Sequence, residues 1–162
     1  MKSIRLTPLA AVLLGGFIAS TIDIGAASLI SGFSPIVILH AIASGLLGKA
    51  SFHDGISAAV LGLVSQWAMG ILIAAIYVLG THRFISLSRR WVPIGVGYGV
   101  VVFIVMNYVV VPLSAAPFKP SSDILKIAEN LVAMILFGLI VAFFAGRTVA
   151  TTSMSSPSEG SV

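Results

Sequence analysis

The sequence contains no cysteine and very few charged residues. Its 162 residues include 9 Lys and Arg against 5 Asp and Glu. The absence of thiols excludes disulfides, iron–sulfur clusters held by Cys, Cys-ligated zinc and thiolate catalysis. Charged residues make up 9% of the chain and hydrophobic residues 58%, whereas a soluble domain has about 25% charged residues. With a mean hydropathy of +1.12, the composition predicts an integral membrane protein.

Four long apolar runs predict transmembrane helices at about residues 8–30, 55–79, 91–113 and 124–145, because about 20 apolar residues cross a bilayer. Segment 34–49 is short for a span and is predicted to lie at the interface or to re-enter the bundle. The predicted fold is therefore all-α, an integral membrane four-helix bundle with an extra interfacial or re-entrant helix after the first span. Counting segment 34–49 as a span gives the alternative, five helices.

The basic residues predict the orientation and the domain limits. With the amino terminus inside, six basic residues are cytoplasmic and three are outside, as the positive-inside rule requires. Residues 1–147 then form one membrane domain, and the Ser- and Thr-rich residues 148–162 form a disordered cytoplasmic tail. Bases that lie between apolar runs give no reason to expect nucleic-acid binding. The inner bases are Lys2, Arg5, Arg83, Arg89, Arg90 and Arg147, and the outer ones are Lys49, Lys119 and Lys126.

A signal peptide is the alternative reading of the first run. Lys2 and Arg5 give it a basic start, and Gly25-Ala26-Ala27 has the small residues of a cleavage site. The apolar core of a signal peptide is about 7 to 15 residues long, and this run is longer. An uncleaved helix is therefore the favoured interpretation.

One acid lies inside the first predicted span. Asp23 is on a row of small residues at four-residue spacing that includes Gly15, Ala19 and Ala27. Such a row lets another helix approach closely. An ionisable side chain in a span costs roughly a few kcal/mol, so it normally faces the bundle interior or a wet cavity. We expect a functional role for Asp23, because an amide would join helices at lower cost.

Each of the other spans carries a polar residue on a similar row: Gln66, Asn107 and Asn130. At about 1.5 Å per residue, Asp23, Asn107 and Asn130 lie about 8 to 10 Å below the outer surface, and Gln66 lies about 16 Å below it. These depths predict an outward-facing polar cavity with Gln66 at its floor. The predicted ligand-binding residues are Asp23, Gln66, Asn107, Glu129, Asn130 and His40.

A purely structural role is the alternative for several of these residues. The amides can simply join helices, at about 0.6 kcal/mol per hydrogen bond. Glu129 follows Lys126 by three residues, and Lys126 follows Asp123 by three, so the three side chains can form a charge ladder on one helix face.

No metal or cofactor motif is present. His40, His53 and Asp54 have the chemistry to bind a divalent metal, but they lack a spacing such as His-Glu-x-x-His. Haem bound by the two histidines would require both to turn inward from a loop. We therefore expect no cofactor and no resident metal.

Several segments resemble an uncharacterised family of small bacterial inner-membrane proteins with four spans. They are the region of Asp23, residues 42–48, Met106-Asn107-Tyr108 and residues 111–114. The resemblance implies the four-span fold and a multi-pass location in the bacterial inner (plasma) membrane with both termini cytoplasmic. A histidine is common in that family where Gln66 stands here, so any chemistry of that histidine would be altered in this chain.

Three classes of function follow. The first is binding or transport of a small polar ligand or ion through the cavity around Asp23, in a homo-oligomer. The second is an accessory subunit whose small-residue faces dock a partner membrane subunit. A membrane enzyme is least favoured, because the sequence has no Gly-x-Ser-x-Gly and no zinc motif.

Overall fold

The computed structural model describes residues 6–83, 91–117 and 123–149, and every regular element in them is helical. The prediction of an all-α fold is confirmed. The predicted loop residues 84–90, the outer residues 118–122 and residues 150–162 of the predicted tail lie outside the described part of the chain. The elements are α1 (Pro8–Ser31), α2 (Pro35–Leu47) with a 3₁₀ turn (Gly48–Phe52), α3 (Gly55–Arg83), α4 (Trp91–Val105), and α5 (Ile124–Val149).

Helix α4 does not end at Val105. It continues through a π-helical turn (Met106–Val110) and a last α-helical turn (Val111–Leu113). In the part of the chain that the structure describes, five helical segments, Pro35–Phe52 among them, are long and apolar enough to cross a membrane. That finding is consistent with a multi-pass membrane protein.

Local signals in the sequence set where the first helices begin and end. The Thr7 side chain accepts a hydrogen bond from the Ala10 backbone N–H at 3.2 Å, and Pro8 follows it. Proline suits the first helical position because its missing N–H has no intrahelical partner there. Helix α1 ends at Gly32, whose φ of +73° lies in the left-handed region. Pro35 then begins α2.

Glycines allow the helices to approach each other closely. Gly99 lies on a predicted row of small residues, whereas Gly16 is the neighbour of Gly15, the glycine of the predicted row in α1. A Cβ at Gly16 of α1 would lie 2.6 Å from the Cα of Ile71 in α3. A Cβ at Gly99 of α4 would lie 2.6 Å from the Cα of Ile135 in α5. These backbones therefore meet at positions where no larger residue fits.

Helices α1 and α3 run antiparallel. Gly16, early in α1, lies against Ile71 late in α3. Asp23, later in α1, is hydrogen-bonded to Gln66, which comes earlier in α3. The carboxyl end of α1 and the amino end of α3 therefore lie at the same end of the bundle, and the α2 segment that joins them begins and ends there.

Helices α4 and α5 are antiparallel as well. Gly95 faces Ala142, whereas Asn107, further along α4, bonds Asn130, which is earlier in α5. The Tyr98 hydroxyl of α4 donates to the Ile73 carbonyl of α3 at 2.6 Å and ties the two helices together.

The interior of the bundle is formed by small and aromatic residues. Tyr77 and Tyr98 contact edge to face, with ring centroids 4.8 Å apart. Large apolar side chains such as Leu72 and Ile76 remain more than half exposed on the outside. The buried cluster consists of Ala19, Ala74, Tyr77, Val78, Phe137, Val141, Ala142 and Ala145.

Candidate functional site

The site is built on a hydrogen bond between α1 and α3. Gln66 Nε2 donates to Asp23 Oδ2 at 2.9 Å, and both side chains are half-buried. The close approach of the two helices at Gly16 and Gly70 brings the side chains within reach. Within the described residues, Gln66 is the partner found for this carboxylate. A carboxylate with one amide partner keeps most of its acceptor capacity for something else.

A small cavity opens beside this pair. Its volume is about 20 Å³, measured as the space open to a water molecule, which is enough for one water or one bare ion. All four long helices line it, through Ser20, Asp23, Gln66, Met69, Gly70, Ile73, Val102, Met106, Met134 and Phe137.

Ser20 is the third polar residue in the cavity wall, after Asp23 and Gln66. Ser20 is completely buried, and its Oγ has no hydrogen-bond partner among the described residues. Its neighbour Thr21 donates to the Phe17 carbonyl at 2.8 Å, which is the usual arrangement for a hydroxyl in a helix. Ser20 does not do this. Its hydrogen-bonding capacity is therefore unused among the described residues, and an unsatisfied buried polar group is costly.

Gly70 leaves room for that hydroxyl. A Cβ at position 70 would fall on the Ser20 Oγ. Glycine at this position is therefore required both for the helix contact and for the orientation of Ser20.

The predicted amides form a separate pair. Asn130 Nδ2 donates to Asn107 Oδ1 at 3.3 Å, which confirms that these two residues share one level. Asn107 Nδ2 donates in turn to the Phe103 carbonyl at 2.9 Å. Neither amide is among the cavity-lining residues, although Met106, beside Asn107, is. The two amides join α4 to α5, as the structural alternative describes.

Gln66 is not at the depth predicted from counting residues. The count placed it about 6 Å deeper than Asp23 at 1.5 Å per residue, yet the two side chains are hydrogen-bonded. Estimating depth from the number of residues assumes that all helices begin at one level. It also assumes that a side chain lies at the level of its own Cα atom and does not extend parallel to the helix axis. Gln66 is therefore a wall of the cavity beside Asp23 and not a floor beneath it.

His40 lies away from the cavity. Its Nδ1 is 2.8 Å from the Ile36 carbonyl oxygen and its Nε2 is 2.7 Å from the Gly55 carbonyl oxygen. The ring thus lies between α2 and the first residue of α3. Both of its nitrogens face carbonyl oxygens, and a neutral imidazole donates its one N–H to one of them. His53 and Asp54 are exposed. No group of three His, Asp or Glu side chains suited to a metal comes together in the described ranges.

Glu129 is half-buried and is not among the residues that line the cavity. As far as the described residues go, Lys126 and Glu129 form no ion pair with each other, and Lys126 is exposed. The geometry therefore gives no support to the Lys126–Glu129 step of the predicted charge ladder.

Sequence reasoning missed four residues of the site: Ser20, Met69, Met106 and Met134. The spacing along the helices could have indicated two of these residues. Ser20 lies three residues before Asp23, and Met69 lies three residues after Gln66, in each case on the same helix face. Apolar residues on the face of a predicted span are usually interpreted as packing residues, so a methionine that lines a cavity is easily overlooked.

Comparison with protein-family models, curated proteins and solved structures finds no match for this chain. The resemblance to small four-span inner-membrane proteins therefore stays a prediction.

Proposed function

We propose that this chain is a multi-pass membrane protein that binds a small cation or polar ligand at Asp23, as the binding step of transport. The observation that carries the proposal is the half-buried carboxylate of Asp23 beside a cavity, with an amide as its described partner. An acid inside an apolar bundle is costly and marks ion or substrate pathways. Ser20 lines the same cavity, and its buried hydroxyl has no hydrogen-bond partner among the described residues, which adds support for an occupant there.

The proposed topology has four spans, with α2 at the outer membrane interface. The antiparallel pairing of α1 with α3 supports it, because the connection between them has to begin and end on the same side. The far end of α2 supports it too, since Gly45 accepts a hydrogen bond from the Ala115 N–H at 2.9 Å, just beyond the end of α4. Both termini are then cytoplasmic in a bacterial inner membrane, by the distribution of basic residues.

The second candidate is an accessory subunit, and exposed glycines favour it. Gly25 and Gly97 are exposed, and a Cβ at either position would meet nothing within 4 Å. Open glycines on the outside of a bundle provide surfaces where another helix can pack closely. A homo-oligomer is compatible with either role, because a cavity for a single water within one chain is too small to form a path by itself.

Uptake by vesicles tests the proposal. Vesicles that contain the purified protein would be assayed for uptake of protons, Na⁺, Rb⁺ and Ag⁺, alongside the thermal stability of the protein in detergent. Asp23→Asn keeps the size and hydrogen-bonding capacity of the side chain, so the fold is retained and uptake is lost. Wild-type uptake by Asp23→Asn would overturn the proposal, and so would the absence of uptake and binding for every probe in the unchanged protein.

A further inference from the structure

Three methionines meet Asp23 at the cavity. Met69, Met106 and Met134 come from α3, α4 and α5, and Asp23 comes from α1, so each long helix contributes one of these side chains. No other methionine occurs in the described ranges; Met1 and Met154 lie outside them. Thioether sulfur is a soft ligand that selects Cu(I) among the biological metals. We infer that the cavity is a binding site for a soft monovalent metal ion, Cu(I). This inference rests on the proposed function and names its cation.

The charges of the ligands favour a monovalent ion. Thioethers carry no charge and the carboxylate carries one negative charge, so a monovalent cation bound by these groups gives a site with no net charge. A neutral site costs least inside an apolar bundle, where an uncompensated charge is expensive. A divalent ion would leave a net positive charge, because no second acid is among the lining residues.

The donor atoms of the cavity wall do not suit the alkaline-earth ions Ca²⁺ and Mg²⁺. Ca²⁺ takes about six to eight oxygen ligands, and Mg²⁺ requires octahedral oxygen coordination. The side chains of the cavity wall that carry oxygen are Ser20, Asp23 and Gln66, against three that carry sulfur. Three oxygen-bearing side chains are too few for the coordination that Ca²⁺ or Mg²⁺ takes, and the three thioethers complete the donor set of a soft ion.

The backbone of α4 changes at one of these methionines. The π-helical turn begins at Met106, in an otherwise α-helical span. A π-turn adds a residue to a helical turn, and such turns occur frequently at functional sites. Here the added residue changes the direction in which Met106 and the following side chains leave the helix, and Met106 lines the cavity.

Packing is the competing explanation for the three methionines, because Met fills irregular gaps in cores. The two explanations predict different effects when leucine replaces a methionine. Leucine has nearly the volume of methionine and replaces it with little disturbance in a core, but it has no sulfur. Replacement by leucine therefore keeps the packing role and removes the ligand.

The test is metal binding by the purified full chain in detergent. Cu(I), kept reduced with ascorbate, is titrated in competition with a coloured Cu(I) chelator, and Ag⁺ serves as a probe that is not reoxidised. We expect one ion per chain and sulfur neighbours in the X-ray absorption spectrum of the copper. Met69→Leu, Met106→Leu and Met134→Leu should each weaken binding at least about tenfold, since even loss of an outer partner of a metal ligand costs about 10- to 100-fold.

Ile76→Leu is the matched control, because it alters an apolar residue of α3 that is more than half exposed and does not line the cavity. It should leave the affinity unchanged. Wild-type affinity in the Leu variants of all three methionines would overturn the inference and leave them as packing residues. Failure of the unchanged protein to bind Cu(I) or Ag⁺, together with Asp23-dependent uptake of Na⁺, Rb⁺ or protons, would overturn the inference alone. Failure with every probe would overturn the proposed function as well.

Discussion

The Gln66 amide of α3 donates to the Asp23 carboxylate of α1 across 2.9 Å, and this bond joins the two helices beside the cavity. It explains why a carboxylate is tolerated here. The amide supplies a donor to an acid that would otherwise have none among the described side chains, and a buried acceptor without a donor is costly.

A double-mutant cycle should show that these two residues act as a pair. Gln66→Leu leaves the Asp23 carboxylate without its donor and should lower the free energy of unfolding by about 1–3 kcal/mol. Asp23→Leu should have a cost of similar size. The double leucine variant should cost less than the sum of the two, because it leaves neither polar group behind. Thermal or denaturant unfolding in detergent measures all four proteins, and additive effects would contradict the pairing.

The all-α class was predictable from the sequence because four apolar runs are each long enough to cross a bilayer. The close helix contacts were predictable too, since Gly62, Gly70, Gly95, Gly99 and Gly138 lie on the rows of small residues. In the structure, each of them meets the backbone of a neighbouring helix.

The arrangement of the site was less predictable. Residue counting gives the height of a side chain along its own helix, but not the rotation of that helix or its offset from the next one. Asn107 and Asn130 were placed at one level, and they bond each other. Gln66 was placed deeper than Asp23, and yet it bonds that acid. No sequence signal separates a methionine that lines a cavity from one that faces lipid.

Alanine substitutions at Gly70 and Gly97 should have opposite effects on stability, because Gly70 packs against another helix and Gly97 is exposed. Gly70→Ala places a Cβ on the Ser20 Oγ, so we expect a loss of about 1–3 kcal/mol in the free energy of unfolding. Gly97→Ala is the matched control, because a Cβ there meets nothing within 4 Å and alanine is about 0.5–1 kcal/mol better than glycine within a helix. The two variants should therefore shift the unfolding temperature in opposite directions. Equal shifts would mean that the α1–α3 contact is not formed as described.

His40 should hold α2 against α3. Its ring contacts the carbonyls of Ile36 and Gly55, so His40→Ala removes both contacts and should cost about 0.5–1.5 kcal/mol for the one hydrogen bond that a neutral imidazole donates. Hydrogen exchange should increase in α2 and in the first turn of α3 and remain unchanged elsewhere. His53→Ala is the control, since that side chain is exposed. Unchanged exchange in α2 after the His40 substitution would show that the ring does not join the two helices.

The absence of cysteine makes the topology directly testable, because each introduced thiol is the one thiol of its variant. The decisive pair is Ser34→Cys and His53→Cys, at two exposed positions that flank α2 and its 3₁₀ turn. If α2 lies at the outer interface, a membrane-impermeant thiol reagent added outside intact cells labels both variants. If α2 crosses the membrane, the reagent labels one of them, because the two positions are then on opposite sides. Lys119→Cys is the outer control, and Ser158→Cys, expected inside, should be labelled after the membrane is permeabilised. Labelling of Ser158→Cys in intact cells would contradict the cytoplasmic carboxyl terminus and favour five spans.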